Sequence, residues 1–95
     1  MKLSPEEKEK LRSNIVKKLY AHKAFAKGHL LFERLQHGVP KHLAGFVRDV
    51  LDELVKQGIV LHYGKTKHGH AYQLNIERLQ EIEQIIFGAR YIAKH

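Results

Sequence analysis

The chain contains no cysteine. That absence excludes disulfide bonds, thiolate nucleophiles and zinc sites built on cysteine, so stability has to come from side-chain packing. Long apolar runs are missing as well. None approaches the roughly eighteen residues of a membrane-spanning helix, and residues 1–20 are charged and periodic, unlike a signal or transit peptide. We therefore expect a cytoplasmic protein that does not enter a membrane.

Residue patterns of enzymes and metal sites are also sparse. The two serines lie at the start and on the flank of the first predicted helix, and the acidic residues are spread over helix surfaces. His68 and His70 have the alternate spacing of ligands on a strand, with His62 as a candidate third, but residues 58–75 contain no Asp, Glu or Cys to complete a site. We expect exposed imidazoles, which gain charge below about pH 6.5, and no catalytic residue, metal or cofactor.

The stretch Gly64-Lys65-Thr66 has the letters that end a phosphate-binding loop. Such a loop needs four residues between its two glycines and a helix that begins at the Lys-Ser/Thr pair. Here Gly58 and Gly64 are separated by Ile-Val-Leu-His-Tyr, which has the composition of a strand, and Lys-His-Gly-His follows Thr66. The sequence therefore argues against a nucleotide cofactor and for a β-hairpin.

The excess of positive charge is confined to two parts of the chain. The 95 residues carry a net charge of +7, of which residues 1–27 contribute +5 and residues 58–75 contribute +2, while the rest is balanced. If the two basic segments lie on one face, that face would attract a polyanion such as nucleic acid. The alternative is a solvated surface that only keeps the protein soluble.

Apolar spacing predicts one domain with an α+β fold that is mostly helical. Ser4, Pro5 and Glu7 form a capping-box signal before the first helix, Gly38 is placed for a left-handed helix end, and Asn75 can cap the last helix. After residue 58 the apolar period changes from 3.6 to 2, which is typical of strands. The predicted elements are a first helix over 4–27, a second from residue 30, a third from 40 to 57, a two-stranded hairpin over 58–75 and a last helix over 76–95.

The order of these elements resembles the winged helix-turn-helix superfamily. The resemblance rests on residues 30–75, LLFERLQHGVPKHLAGFVRDVLDELVKQGIVLHYGKTKHGHAYQLN, in which Leu51, Leu54, Gly58 and Ile59 stand at the junction of recognition helix and wing. The chain is also similar to small stand-alone winged-helix proteins of archaea. The resemblance implies three helices, a two-stranded wing formed by residues 58–75, and an additional C-terminal helix. It also implies a DNA-binding protein, either a transcriptional regulator or a small chromatin-associated factor.

By that resemblance, the third helix would enter the major groove of double-stranded DNA and the wing would contact the backbone or the minor groove. Arg48 is the main candidate for a base contact, since its guanidinium can donate two bonds to guanine; the alternatives are an ion pair with Asp49 or Asp52 and a solvated side chain. Phosphate contacts are expected from lysines. The predicted nucleic-acid-binding residues are Lys17, Lys18, Lys41, His42, Gly45, Arg48, Lys65, Thr66, Lys67, His68 and His70.

The last helix offers more apolar surface than one stripe would bury in a small domain, which indicates a homodimer. The alternative is a terminal helix packed wholly on its own chain. The predicted dimer interface consists of Ile82, Ile85, Ile86, Phe87 and Tyr91. A different class of function is also open, in which the winged-helix surface serves as an adaptor for another protein or binds RNA.

Overall fold

The first helix, α1, spans Pro5–Ala21 in the computed structural model, which describes residues 2–88. The predicted capping box is confirmed: the Glu7 backbone N–H donates to Ser4 Oγ at 3.1 Å, and the Ser4 backbone N–H donates to Glu7 Oε1 at 3.2 Å. Hydrogen bonding from Ser4 lowers the pKa of the Glu7 carboxyl, because these contacts favour the ionised form.

The prediction that the first helix extends to residue 27 is wrong. After α1 the chain turns sharply, with Lys23 and Ala26 at φ values of 53° and 55°. The turn lets the Ala24 carbonyl accept from the Leu74 backbone N–H at 2.6 Å and gives Phe25 a parallel bridge to Leu74. A Cβ at Gly28 would lie 2.4 Å from the Lys23 carbonyl oxygen, so this tight loop needs a glycine there. Contacts to a distant strand therefore end the helix early.

A short strand, β1, occupies Leu30–Leu31 where the sequence predicted the start of the second helix. The helix itself, α2, covers only Phe32–Gln36. Leu30 and Leu31 instead pair with Tyr72 and Ala71, which satisfies the backbone groups of a later strand. Beyond α2, Gly38 has a φ of 80°, as predicted for a left-handed helix end.

The predicted third helix is divided into α3, Lys41–Ala44, and α4, Val47–Lys56. Two features explain the break near Gly45. Glycine is a poor helix former, and the Ala44 carbonyl accepts a hydrogen bond from the Gln36 side-chain amide at 3.0 Å. The apolar stripe that predicted the helix is nevertheless turned to the core, where its buried residues are Leu43, Val47, Val50, Leu51 and Leu54.

The strands β2, Val60–Thr66, and β3, Gly69–Leu74, form a hairpin that we call the β2–β3 hairpin. With β1 they make a three-stranded antiparallel sheet in the order β1-β3-β2, so the expected two-stranded sheet is corrected to three strands. The pairing continues through the polar stretch predicted as a loop, and a register shift between His62 and Gly64 accommodates one extra residue. Only residues 67 and 68 remain as the turn.

Asn75 caps the final helical segment, as predicted. The Asn75 side chain accepts from the Glu77 backbone N–H at 3.1 Å and donates to the Gly58 carbonyl at 2.8 Å. A 3₁₀ turn, Ile76–Arg78, leads into α5, Leu79–Phe87. The predicted continuation to residue 95, including Tyr91, lies outside the described residues.

One apolar core joins α1, α4, α5 and the sheet, which confirms the α+β prediction. Its largest fully buried side chains are Ile15, Leu19, Leu35, Leu51, Leu54, Leu74, Ile82, Val16, Val47 and Val60. Within residues 2–88, every helix is too short or too polar to cross a bilayer.

Candidate nucleic-acid interface

An open cleft lies between α4 and the β2–β3 hairpin. Arg48, Asp52 and Val55 are spaced four and three residues apart, so they project from the same side of α4. The hairpin contributes His62, His70 and Tyr72 on the other side, and the six side chains line a cleft of about 270 Å³. The cleft therefore brings the predicted base-reading arginine together with a histidine of the predicted wing.

Arg48 is exposed, and its guanidinium carbon lies 5.9 Å from the centre of the Phe32 ring. Among residues 2–88, no ion pair within 4.0 Å involves Arg48, so neither Asp49 nor Asp52 neutralises it by direct contact. Burial raises the pKa of the Tyr72 hydroxyl, and the charges of Arg48 and Asp52 act on it in opposite directions. The guanidinium is thus held beside the cleft with its donors available.

His62 and His70 meet across the two strands. Nε2 of His62 lies 2.9 Å from Nδ1 of His70, within hydrogen-bond distance, and the ring centres are 5.0 Å apart. The His62 ring also lies 5.3 Å from the Tyr72 ring, its partner in the strand register. The hairpin therefore presents two linked imidazoles toward α4.

The tip of the hairpin carries exposed Lys65, Lys67 and His68, as the prediction requires for phosphate contacts. Thr66 is different. Its hydroxyl donates to the Gly69 carbonyl at 2.8 Å and accepts from the His68 backbone N–H at 3.1 Å. Both interactions hold the turn together, so Thr66 organises the tip, and its contact with nucleic acid stays a prediction.

The α3 candidates lie at the other end of the same helical region. Lys41 and Gly45 are exposed, and a Cβ at Gly45 would meet nothing within 4 Å, so a ligand can approach the backbone there. His42 is exposed too, but its Nε2 lies 3.7 Å from a Glu7 carboxylate oxygen. The positive charge that His42 gains on protonation is therefore shared with an acid of α1.

Lys17 and Lys18 of α1 do not line the cleft. Lys18 was predicted to contact nucleic acid, yet its ammonium donates to the Leu35 carbonyl at 2.9 Å and to the His37 carbonyl at 2.5 Å. Burial lowers the pKa of Lys18. This ammonium therefore binds the carbonyls at the end of α2, and its contact with nucleic acid stays a prediction.

Lys17 is exposed and lines an open groove with Lys10 of α1 and with Gln84 and Ile85 of α5. Along α1, Lys17 lies on the side opposite the buried stripe that packs against α4 and the sheet. The structure therefore does not bring Lys17 to the hairpin, and the expected common face of the two basic segments is not formed by this residue.

Acidic side chains of α4 are partly directed away from the cleft. Glu53 forms an ion pair with Lys8 of α1 at 2.8 Å. Asp49 and Asp52 are exposed, and Asp52 lines the cleft opposite the histidines. The cleft thus holds one carboxylate that would oppose a phosphate.

The residues of the predicted dimer interface differ in how far they are buried in their own chain. Ile82 is 0% exposed and belongs to the core, so its prediction as a contact to a second copy is wrong. Ile85 and Ile86 are half-buried against the same core, whereas Phe87 is 51% exposed and its ring lies 6.2 Å from that of Tyr20. Dimer formation stays a prediction.

Two features of the surface escaped sequence reasoning. The His62–His70 pair follows from a strand register that contains an extra residue between His62 and Gly64. On the sheet, the rings of His29 and Tyr63 stack at 4.3 Å with an angle of 16° between their planes. No local pattern could have found that stack, because the two residues are far apart in the chain.

Within the described part of the chain, no three His, Asp or Glu side chains cluster closely enough to hold a metal ion. His62 and His70 are adjacent, whereas His68 lies on the turn.

Comparisons of the chain with models of protein families, with curated proteins and with solved structures found no match.

Proposed function

We propose that this protein is a winged-helix protein that binds double-stranded DNA, as a transcriptional regulator or a small chromatin-associated factor. The observation that carries the proposal is the cleft itself: Arg48 of α4 faces His62 and His70 of the hairpin. A duplex that places a groove edge on α4 would thus meet the hairpin at the neighbouring phosphates. The succession of α2, α3–α4 and hairpin supports the same assignment.

Different residues of the surface are suited to base contacts and to phosphate contacts. Arg48 can donate two parallel hydrogen bonds to a guanine edge from a position braced against the Phe32 ring. Lys41 at the start of α3, and Lys65 and Lys67 at the tip, are exposed ammonium groups suited to phosphate oxygens. Asp49 and Asp52 weaken the attraction along α4, so much of the affinity comes from the hairpin.

The test is a salt-titrated binding assay with random-sequence duplex DNA. Each phosphate neutralised by a lysine contributes about 0.9 to the slope of log affinity against log salt. Replacing Lys65 and Lys67 together by glutamate should lower affinity for every duplex by more than about tenfold and reduce the slope by about 1.8.

Lys10→Glu with Lys17→Glu is the matched control, because it reverses two exposed charges on α1 beside α5, away from the hairpin. The control variant should keep most of the affinity. Equal losses in the two variants would show attraction by net charge alone, and unaltered binding after the hairpin change would refute the proposed surface.

The exposed stack of His29 and Tyr63 favours a second candidate, binding of single-stranded RNA. Aromatic faces on a sheet stack with unpaired bases and contribute about 1–3 kcal/mol per base. Tyr63 is 49% exposed, and Arg34 and His22 stand close to His29. Tighter binding of single strands than of duplexes, lost on Tyr63→Ala, would select this candidate over the first.

A further inference from the structure

The His62–His70 contact limits the protonation states of the two rings. A hydrogen bond between Nε2 of His62 and Nδ1 of His70 requires one nitrogen to donate and the other to accept. When both rings are neutral, the ring that accepts carries its proton on its outward nitrogen, and the ring that donates has a bare outward nitrogen. A bare nitrogen repels the lone pairs of a phosphate oxygen.

One added proton changes that arrangement without breaking the bond between the rings. The proton binds the bare outward nitrogen, so that Nδ1 of His62 and Nε2 of His70 both become N–H donors and the pair gains one positive charge. A second proton would put N–H groups on both facing nitrogens and break the bond. The singly protonated pair is therefore the state best suited to an anion.

The charges of the groups around the pair determine how one added proton changes the net charge of the cleft. The charges of Arg48 and Asp52, which line the cleft from α4, cancel formally. The Tyr72 hydroxyl on β3 is neutral near pH 7, and burial raises its pKa further. On β2, Lys65 is the register partner of His70 and adds one positive charge at the edge. With neutral imidazoles the cleft proper carries no net charge, and protonation makes it positive.

We propose that His62 and His70 form a binding site for a backbone phosphate beside Arg48, and that this site takes up one proton from solvent when the phosphate enters. The inference rests on the proposed function, since the phosphate is that of a nucleic-acid backbone. It makes DNA affinity depend on pH through a defined pair of side chains. Binding that takes up one proton strengthens about tenfold for each unit by which the pH falls.

The test compares duplex binding at pH 5.5 and pH 7.5 at constant ionic strength, with fluorescence anisotropy of a labelled DNA. The wild type should bind about tenfold or more tightly at the lower pH. Replacing His62 and His70 together by glutamine should reduce that ratio to less than about threefold. The control is His37→Gln, which removes an exposed imidazole outside the cleft and should leave the ratio near the wild-type value.

Asp52→Asn supplies a change of opposite sign. Removing the carboxylate leaves Arg48 unopposed, so affinity at pH 7.5 should rise several-fold and the pH ratio should shrink. Circular dichroism establishes that each variant is folded. If a histidine variant does not fold, the ring proton signals of His62 and His70 in the wild type serve instead, and their titration curves should move to higher pH when duplex is added.

The outcomes separate this inference from the proposed function. Duplex binding with the same pH ratio in the wild type and the His62/His70 variant, or ring titration curves unmoved by duplex, would overturn the inference and leave the proposed function standing. Absence of duplex binding at both pH values would overturn the proposed function and, with it, the backbone phosphate as ligand.

Discussion

Replacing Lys18 by methionine should destabilise the fold, whereas the same change at Lys17 should not. Methionine keeps a long apolar stem and removes only the ammonium group. At Lys18 that ammonium donates to the carbonyls of Leu35 and His37 at 2.9 and 2.5 Å. At Lys17 the side chain is exposed on the outer side of α1. The two neighbours thus form a matched pair.

The expected magnitude follows from the two hydrogen bonds. A bond that involves a charged group contributes about 1.5–3 kcal/mol, but one of these bonds is exposed to solvent. Burial of the ammonium, which lowers the pKa of Lys18, offsets part of the gain. We therefore expect Lys18→Met to cost about 1–3 kcal/mol of unfolding free energy, out of roughly 5–14 kcal/mol for a domain of this length.

Urea unfolding followed by circular dichroism at pH 7 measures both variants. Lys17→Met should stay within about 0.5 kcal/mol of the wild type, as surface substitutions usually do. Duplex affinity should be nearly unchanged in Lys18→Met, because its ammonium faces α2. A Lys18 variant as stable as the wild type, or an equal loss in the Lys17 variant, would refute the assignment of Lys18 to the end of α2.

Two further predictions concern α5 and the start of α1. Ile82→Ala should lower the free energy of unfolding by about 2–5 kcal/mol because the side chain is 0% exposed. The control Ile76→Ala should lower it little, since Ile76 is 52% exposed. A loss of stability in the Ile82 variant that varies with protein concentration would point to a dimer instead. Glu7→Gln should flatten the acid-side decline of stability. Hydrogen bonding from Ser4 lowers the pKa of Glu7 below 4.5, so the contribution of Glu7 to stability is present above that value and is lost as the pH falls through the folded pKa. Equal declines of stability in the variant and the wild type between pH 5 and pH 3, measured by urea unfolding, would contradict this.

The sequence was sufficient where the signal is local. The capping box at Ser4, the left-handed Gly38 and the apolar stripe of α4 are set by residues within a few positions of one another, and the structure contains all three. Each of these signals reflects backbone geometry or helical periodicity, which neighbouring residues determine.

The predictions of structure were wrong where a contact with a residue distant in the sequence determines the local conformation. Leu30 joins a strand because β3 offers it an edge, and its partner Tyr72 is far along the chain. Nothing in the sequence separates Lys18 from Lys17 until the end of α2 is placed beside α1. The break after Ala44 likewise depends on the Gln36 side chain. Such contacts belong to tertiary packing, which overrides local propensity.

The same limit applies to the candidate interface. Arg48 and the basic hairpin were identifiable from residue type and helix position, but the facing of His62 with His70 depends on a register that contains an extra residue. The role of Asp52 in the cleft depends on how α4 lies against the sheet. Sequence reasoning therefore found the charges and missed their arrangement.

The most direct measurement of the central claim is the mapping of duplex DNA onto the isotope-labelled protein by backbone amide chemical shifts. We predict that the largest changes fall on residues 41–48 and 65–70, which contain Arg48 and His70 of the cleft and the lysines of α3 and the hairpin tip, and that residues 9–17 of α1 change little. Largest changes on α1 or α5, with the cleft unaffected, would contradict the account.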